Sequence, residues 1–462
     1  MTKRTAWALC VSLLCAGTQA AIADGSQQTT LTLEQGRKLA LHALSNGDAQ
    51  LALNVSRGLW EADPKNPQTY SIIASAYAHL GEHTAARRAA AKAYRYSDNK
   101  TLRLSAAQLA ARAALAEERP TLTQVWLRRA VLNSHSQADE KRIASDYARV
   151  RALNPWSFRL NGSLKPSSNV NNGADSALQI IDGDPLVGSL SGNAQALSGW
   201  ITDVDASVGY RLRSTETSRT SLGARVFVHR VMLSDGAKIQ APSTENSDFS
   251  STYVETSLKQ TRIVGARKNR LNYGLAVGTS IYAQNTSYHF ARGSLGYRWK
   301  LAAQTHFSLN GSLERRHVPG KSIKDSSIYA LSGALHHRLA GGNTLSFSLS
   351  LRDVKSDHIR TPYSSASLRA SYAFAKQIGP AKISTGLTFG YSDYDIYLTG
   401  NRQAPGGRQD RSAYGDVTMV FPEHDYAGFA PTLRVRTGRK FSNVSRFDTR
   451  EFSVSLGIQS KF

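Results

Sequence analysis

Residues 451–462 read Glu-Phe-Ser-Val-Ser-Leu-Gly-Ile-Gln-Ser-Lys-Phe. Phe452, Val454, Leu456 and Ile458 alternate with Ser453, Ser455, Gly457 and Gln459. A period of two makes a strand with one apolar and one small polar face. Two settings suit it: the last strand of a sandwich, or the strand that closes a membrane barrel. In the barrel, the apolar residues meet lipid, the small ones meet a lumen, and Phe462 sits in the interfacial girdle.

Working back toward residue 154, the same texture recurs. Segments 156–164, 199–213, 220–232, 250–261, 270–282, 288–300, 305–317, 326–338, 343–353, 363–375, 381–391, 411–420, 432–439 and 450–462 read as strands. Leu345, Phe347, Leu349 and Leu351 alternate with Ser346, Ser348, Ser350 and Arg352. Each strand offers one apolar face, whereas a sandwich needs two packed inner faces. The connections alternate long and short, as in bacterial barrels with long outer loops and short periplasmic turns. The connection 283–287 is the exception, being short where an outer loop is due. Trp156, Trp200 and Trp299 fall at strand ends, where an aromatic belt places them. The expectation for 154–462 is a 14-stranded antiparallel transmembrane β-barrel, with both ends in the periplasm.

Upstream the pattern changes to alanine-rich helices. Gly47-Asp48-Ala49 recurs as Gly81-Glu82-His83, 34 residues on, and Ala52 maps to Ala86 at the same offset. That period, with Gly between paired helices, is the tetratricopeptide spacing. Pro64 stops a helix without removing a needed donor. A looser third unit covers 102–133, and a charged helix over 138–153 reads as cap and connector. Residues 31–153 are therefore expected to form a periplasmic helical repeat domain. Its concave face would bind a partner protein; by register Glu34, Arg37, Gln68, Ser71 and His79 are the candidate contacts.

The first 23 residues carry Lys3 and Arg4, an apolar run and Ala21-Ile22-Ala23. This is a secretory signal peptide pattern, followed by a polar lead over 24–30. Both cysteines, Cys10 and Cys15, lie inside it. Leu14 stands before Cys15 where a lipidation signal wants a small residue. The exported chain is expected to hold no thiol, which excludes disulfides and thiolate metal sites. The net charge of +23 in an exported protein points to a lumen, anionic lipid head groups or an acidic partner, not to nucleic acid. Histidines dot the strands. His336-His337 with Ser332 or Ser326 is the best hydrolase grouping, and His317 with nearby acids the best metal grouping, but neither forms a recognisable motif. No enzyme activity, cofactor or metal is expected.

Asn154-Pro155-Trp156 and, after the first strand, Asn169-Val170-Asn171-Asn172 stand out. Asn, Ser and Gly in such a loop turn the chain and bond backbones. With the signal peptide, the short repeat domain and the barrel, these motifs resemble the surface lipoprotein assembly modulator (Slam) family, the outer-membrane component of type XI secretion. The resemblance implies movement of a dedicated partner across the outer membrane. That partner would be a surface lipoprotein, or a secreted haem- or metal-capturing protein with a small β-barrel domain. It marks Asn169, Asn171 and Asn172 as the family loop motif and implies host association. Phe462 is the expected signal to the barrel assembly machinery, although Ser460 stands where a large apolar residue is usual. An exopolysaccharide exporter and a porin or adhesin are the competing readings.

Overall fold

The computed structural model describes residues 31–182, 184–399, 402–424, 426 and 429–460. The expected signal peptide, the polar lead, Lys461 and Phe462 lie outside them.

Seven helices lead the described residues: α1 (Leu33–Ser45), α2 (Ala49–Ala62), α3 (Pro67–His79), α4 (His83–Tyr96), α5 (Lys100–Ala116), α6 (Pro120–Val131) and α7 (Gln137–Leu153). Capping side chains start most of them: Thr32, Asp48, Asn66, Asn99 and Ser136 each accept a backbone N–H of the first turn. The repeat shows in the turns. Gly47 and Gly81 hold φ of 81° and 78° and close α1 and α3 by the same pair of bonds to the preceding turn. Small residues let the helices close on one another. Ala52, Ala86, Ala90, Ala93, Ala107 and Ala130 are all fully buried. The continuous core runs from Tyr70 on α3 to Val150 on α7. α7 is therefore part of that core, through Ile143, Tyr147 and Val150.

Fourteen strands then close into one antiparallel barrel among the described residues. They are β1 (Trp156–Ser167), β2 (Gly199–Ser214), β3 (Ser218–Leu233), β4 (Ser251–Val264), β5 (Asn269–Tyr282), β6 (Asn285–Lys300), β7 (Thr305–His317), β8 (Ser326–Arg338), β9 (Thr344–Ser356), β10 (Tyr363–Ala373), β11 (Lys382–Tyr394), β12 (Arg408–Val420), β13 (Phe429–Ser442) and β14 (Thr449–Ser460). Each pairs with its sequence neighbours, and β14 returns to β1. The connection expected over 283–287 shrinks to two residues, Ala283 and Gln284, both at positive φ (47° and 63°). That is the type I′ geometry whose twist suits a two-residue hairpin.

Alternation sorts the side chains. Phe158, Leu275, Leu295 and Leu456 on the outer face are 60–68% exposed. An exposed apolar ring of this kind is a surface solvated by lipid. Trp156, Tyr210, Tyr297, Trp299 and Phe307 stack at the inner rim, and Trp200 marks the outer rim. The barrel spans the outer membrane, and the helices, which precede β1 at its inner end, lie in the periplasm.

β1 runs three residues beyond the expected segment and takes in Pro166, which the sequence pattern assigned to a loop. Proline is tolerated because its missing N–H faces β14. Pairing of β1 with β2 is continuous from Trp156 to Ser167, whereas pairing with β14 skips Lys165 and Pro166. These are the two rungs that a proline nitrogen on that side removes.

Candidate functional site

The junction between helices and barrel is a built joint. Asn154 is 4% exposed. Its amide Nδ2 donates to Gln124 Oε1 (2.7 Å) and Thr121 Oγ1 (3.1 Å) on α6, and its Oδ1 accepts the Trp156 N–H (2.9 Å). From β2, Arg211 Nη2 donates to the carbonyls of Leu153 (2.8 Å) and Asn154 (2.9 Å). Pro155 sets the extended entry into β1. Arg128 of α6 lies 5.3 Å over the Phe429 ring at the start of β13. The helices are thus fastened to the periplasmic mouth on both sides of the β1–β14 seam. There Arg151, Arg159 and Arg434 line a cavity of about 580 Å³.

Of the predicted partner contacts, the structure brings Arg37 and Gln68 together: Arg37 Nη1 donates to Gln68 Oε1 at 3.3 Å, linking α1 to α3. Ser71 follows one turn later on α3, and His79 ends that helix, exposed. Glu34 is occupied by Lys38 one turn on (2.9 Å), both in solvent. Sequence reasoning missed a second cleft, about 420 Å³, among α5, α6 and α7. Leu115 and Leu127 form its floor, with Arg112, Arg142, Asp146 and Arg149 around it. The charged run of α7 was its signal.

Inside the barrel, acids are spoken for by arginines. Arg225 grips Asp205 with two bonds of 2.8 Å. Arg292 bridges Glu255 and Glu314, and Arg316 adds a 2.7 Å bond to Glu314. Arg369 and Arg434 share Asp416. Glu255, Glu314, Asp410 and Asp416 are 5–8% exposed, and burying an acid is far less costly when an arginine pairs with it. Arg159, Lys259, Arg270, Arg298 and Arg352 line the same wall, by register, with no carboxylate in reach among the described residues. The lumenal field is positive.

At the outer end the first loop folds over part of the rim. The Asn-rich motif ties the first outer loop (168–198) to itself. Asn171 Nδ2 donates to the carbonyls of Asn193 (3.0 Å) and Gln195 (2.8 Å), and its Oδ1 accepts Leu197 N–H (2.9 Å). Asn169 exchanges two 2.8 Å bonds with the Gly173 backbone. Asn172 adopts φ 52°. At Gly173 a Cβ would stand 2.2 Å from the Gln195 carbonyl, so only glycine fits. The knotted loop packs Val170 and Leu197 onto Ile201, Val231 and Leu233. Alternation points the last three into the lumen, so the loop dips inward. It also reaches the last outer loop (443–448), where Ile180 N–H donates to Ser445 Oγ (2.7 Å) and Asn443 Nδ2 to Asp182 Oδ1 (3.0 Å).

The histidine–serine grouping read from the sequence does not form. His336 Nδ1 meets Ser346 Oγ at 2.8 Å, not Ser332 or Ser326, and His337 turns to the other face to meet Thr305 Oγ1 at 2.9 Å. His317 Nδ1 lies 3.0 Å from Asp325. Among the described residues no group of three or more metal-ligating side chains forms.

No family model matches the chain, and no curated protein does. Solved structures match its two parts separately. The N-terminal domain of stress-induced protein-1 from C. elegans is 19% identical over 24% of this chain and 92% of its own (TM-score 0.23). Acinetobacter baumannii OccAB3 is 11% identical over 66% of this chain and 98% of its own (TM-score 0.34). A bacterial polysaccharide outer membrane secretin is 9% identical over 66% and 98% (TM-score 0.33). These are distant likenesses of shape. On its own geometry, the chain is an outer-membrane β-barrel protein with a periplasmic tetratricopeptide-like domain.

Proposed function

We propose that the chain is an outer-membrane translocator for a dedicated partner protein. The observation that carries this reading is the joint at Asn154, which holds the repeats against the lumen mouth. A domain that merely anchored the barrel would need no such fixed placement. Whatever the repeats hold is presented to the barrel. Glu34, Arg37, Gln68, Ser71 and His79, with the α5–α7 cleft, are the proposed contacts. The resemblance to the Slam family makes the partner a surface lipoprotein or a secreted haem- or metal-capturing protein, with a role in host colonisation. In this reading the chain catalyses no reaction and takes no cofactor. Phe462 directs assembly, so Phe462→Ala should lower the amount of heat-modifiable barrel in the membrane; unchanged amounts would reject that role.

The test of translocation deletes 31–153 and follows a surface lipoprotein encoded beside the gene by protease shaving of intact cells. Loss of display with normal barrel levels is expected. Undiminished display would overturn the reading. The charged lumen favours a second reading, export of an anionic polysaccharide. A strain lacking the chain would then lose extracellular polymer while keeping its surface lipoproteins.

A further inference from the structure

Lumenal Arg225, Arg292, Arg316, Arg369 and Arg434 answer acids, but three arginines on the lipid face do not. Arg411 of β12, Arg439 of β13 and Arg450 of β14 lie on the outward face. Arg439 stacks 4.5 Å over the Phe441 ring, and Phe441 and Phe452, two residues on from Arg439 and Arg450, are 51% and 63% exposed. The intervening Ser412, Lys440 and Thr449 face the lumen. Register puts Arg439 directly opposite Arg450. Arg411 sits opposite Phe441, diagonal to Arg439. Like charges directly opposite on a sheet repel; Asp448, in the adjoining outer loop, acts on Arg439 only at a distance and forms no ion pair with it. None of the three guanidinium groups has an ion pair, and Arg439 Nε is buried with no hydrogen-bond partner. Asp393, the nearest carboxylate on that face by register, pairs with Gln409 on β12 and forms no ion pair.

Depth narrows what could offset them. Each arginine lies within three residues of the outer end of its strand, roughly 10 Å along it. This is the head-group zone of the outer leaflet, just above the apolar run Phe452–Ile458. The outer leaflet is built of phosphorylated glycolipid. A phosphate monoester brings close to two negative charges and three acceptor oxygens. Guanidinium forks bind such oxygens in pairs. One phosphate seated between Arg439 and Arg450 would turn a repulsive pair into a bridge. The flanking phenylalanines would meet the glycolipid's acyl chains.

We infer that Arg411, Arg439 and Arg450 form a binding site for the phosphate of an outer-leaflet glycolipid. The site borders the β1–β14 seam, so the lipid it holds reinforces the strand that closes the barrel.

The test uses the full chain in phosphatidylcholine nanodiscs, alone or with lipid A, dephosphorylated lipid A or millimolar inorganic phosphate. Native mass spectrometry counts retained lipid, and thermal unfolding reports stability. The wild-type chain should retain lipid A and gain several degrees from it. Arg439→Gln/Arg450→Gln should retain it at least tenfold less. The sign of the stability change separates binding from misfolding. Without lipid A the double variant should unfold at the same or a higher temperature than the wild type, because a repulsion is gone. With lipid A it should unfold lower. Arg439→Lys/Arg450→Lys should keep the charge and recover part of the retention. Equal retention by wild type and glutamine variant overturns the site. Equal stabilisation by dephosphorylated lipid A reduces it to acyl-chain contact. A full shift with inorganic phosphate alone makes it a soluble-anion site and overturns the glycolipid.

Discussion

A single carboxylate fastens the middle of the helical domain. Arg87 Nε donates to Glu117 Oε1 at 2.8 Å, and the side chains are only 16% and 9% exposed. Burial pushes the Glu117 carboxyl up, but the bond and charge of Arg87, helped by Arg119, outweigh it. Its pKa therefore sits below the ordinary 4.5. A depressed acid stabilises the fold above its unfolded value, and the gain drains away as pH falls through the folded value. The helical circular dichroism of the full chain should thus melt at a constant temperature down to about pH 5 and earlier below 4.5. Glu117→Gln should remove that acid-dependent component and cost about 1–3 kcal/mol at neutral pH, since Arg87 loses a charged partner. A second residue-scale prediction concerns the turn Ala283-Gln284. Neither side chain favours positive φ, at a cost of about 1 kcal/mol or more each. Ala283→Asn/Gln284→Gly should raise the urea midpoint of the lipid-embedded barrel, and no change would mean that the hairpin is not strained.

Among the elements, the β1–β14 seam is where pairing is thinnest. Among the described residues, only Gly162, Ser163, Leu164 and Ser167 find partners across it, against an unbroken ladder between β8 and β9. Hydrogen exchange in nanodiscs should therefore be faster in β1 and β14 than in β8 and β9. Pro166→Thr restores a donor and should slow exchange at the seam; uniform rates around the barrel would refute this ranking. The proline also shows where sequence reading stops. Period-two alternation made every barrel strand legible, because lipid and lumen sort side chains residue by residue. It could not say which neighbour Pro166 would fail. Asp416 meets Arg369 and Arg434 from different strands, and only register supplies that pairing. The Asn169–Asn172 stretch was legible as turn-forming. Its bonds to Asn193, Gln195 and Leu197 were not, since they join residues more than 20 positions apart. The α5–α7 cleft was hidden for a similar reason: α7 looks like a solvated cap until Ile143, Tyr147 and Val150 are seen to be buried.

At the scale of the molecule, an inner end fastened to the helices is set against an outer end over whose rim the first loop folds. Val170 and Leu197 bury lumen-facing Ile201 and Val231, and the loop is bonded on its far side to 443–448. The wall beneath carries cations without counter-charges, while its buried acids are engaged. Uncompensated charge lining a low-dielectric channel concentrates ions of opposite sign. Two consequences follow for a planar bilayer. The intact chain should pass little current. Replacing 175–194 by a short Gly-Ser link should raise conductance several-fold, and the swap is geometrically mild because Ala174 and Gln195 are already bridged. The opened barrel should also be anion-selective by its reversal potential in a salt gradient, and Lys259→Glu/Arg298→Glu should move that potential toward zero. If the loop replacement leaves conductance unchanged, the loop is not the constriction. If the opened barrel prefers cations, the lumenal field is not the one these unpaired arginines and lysines create.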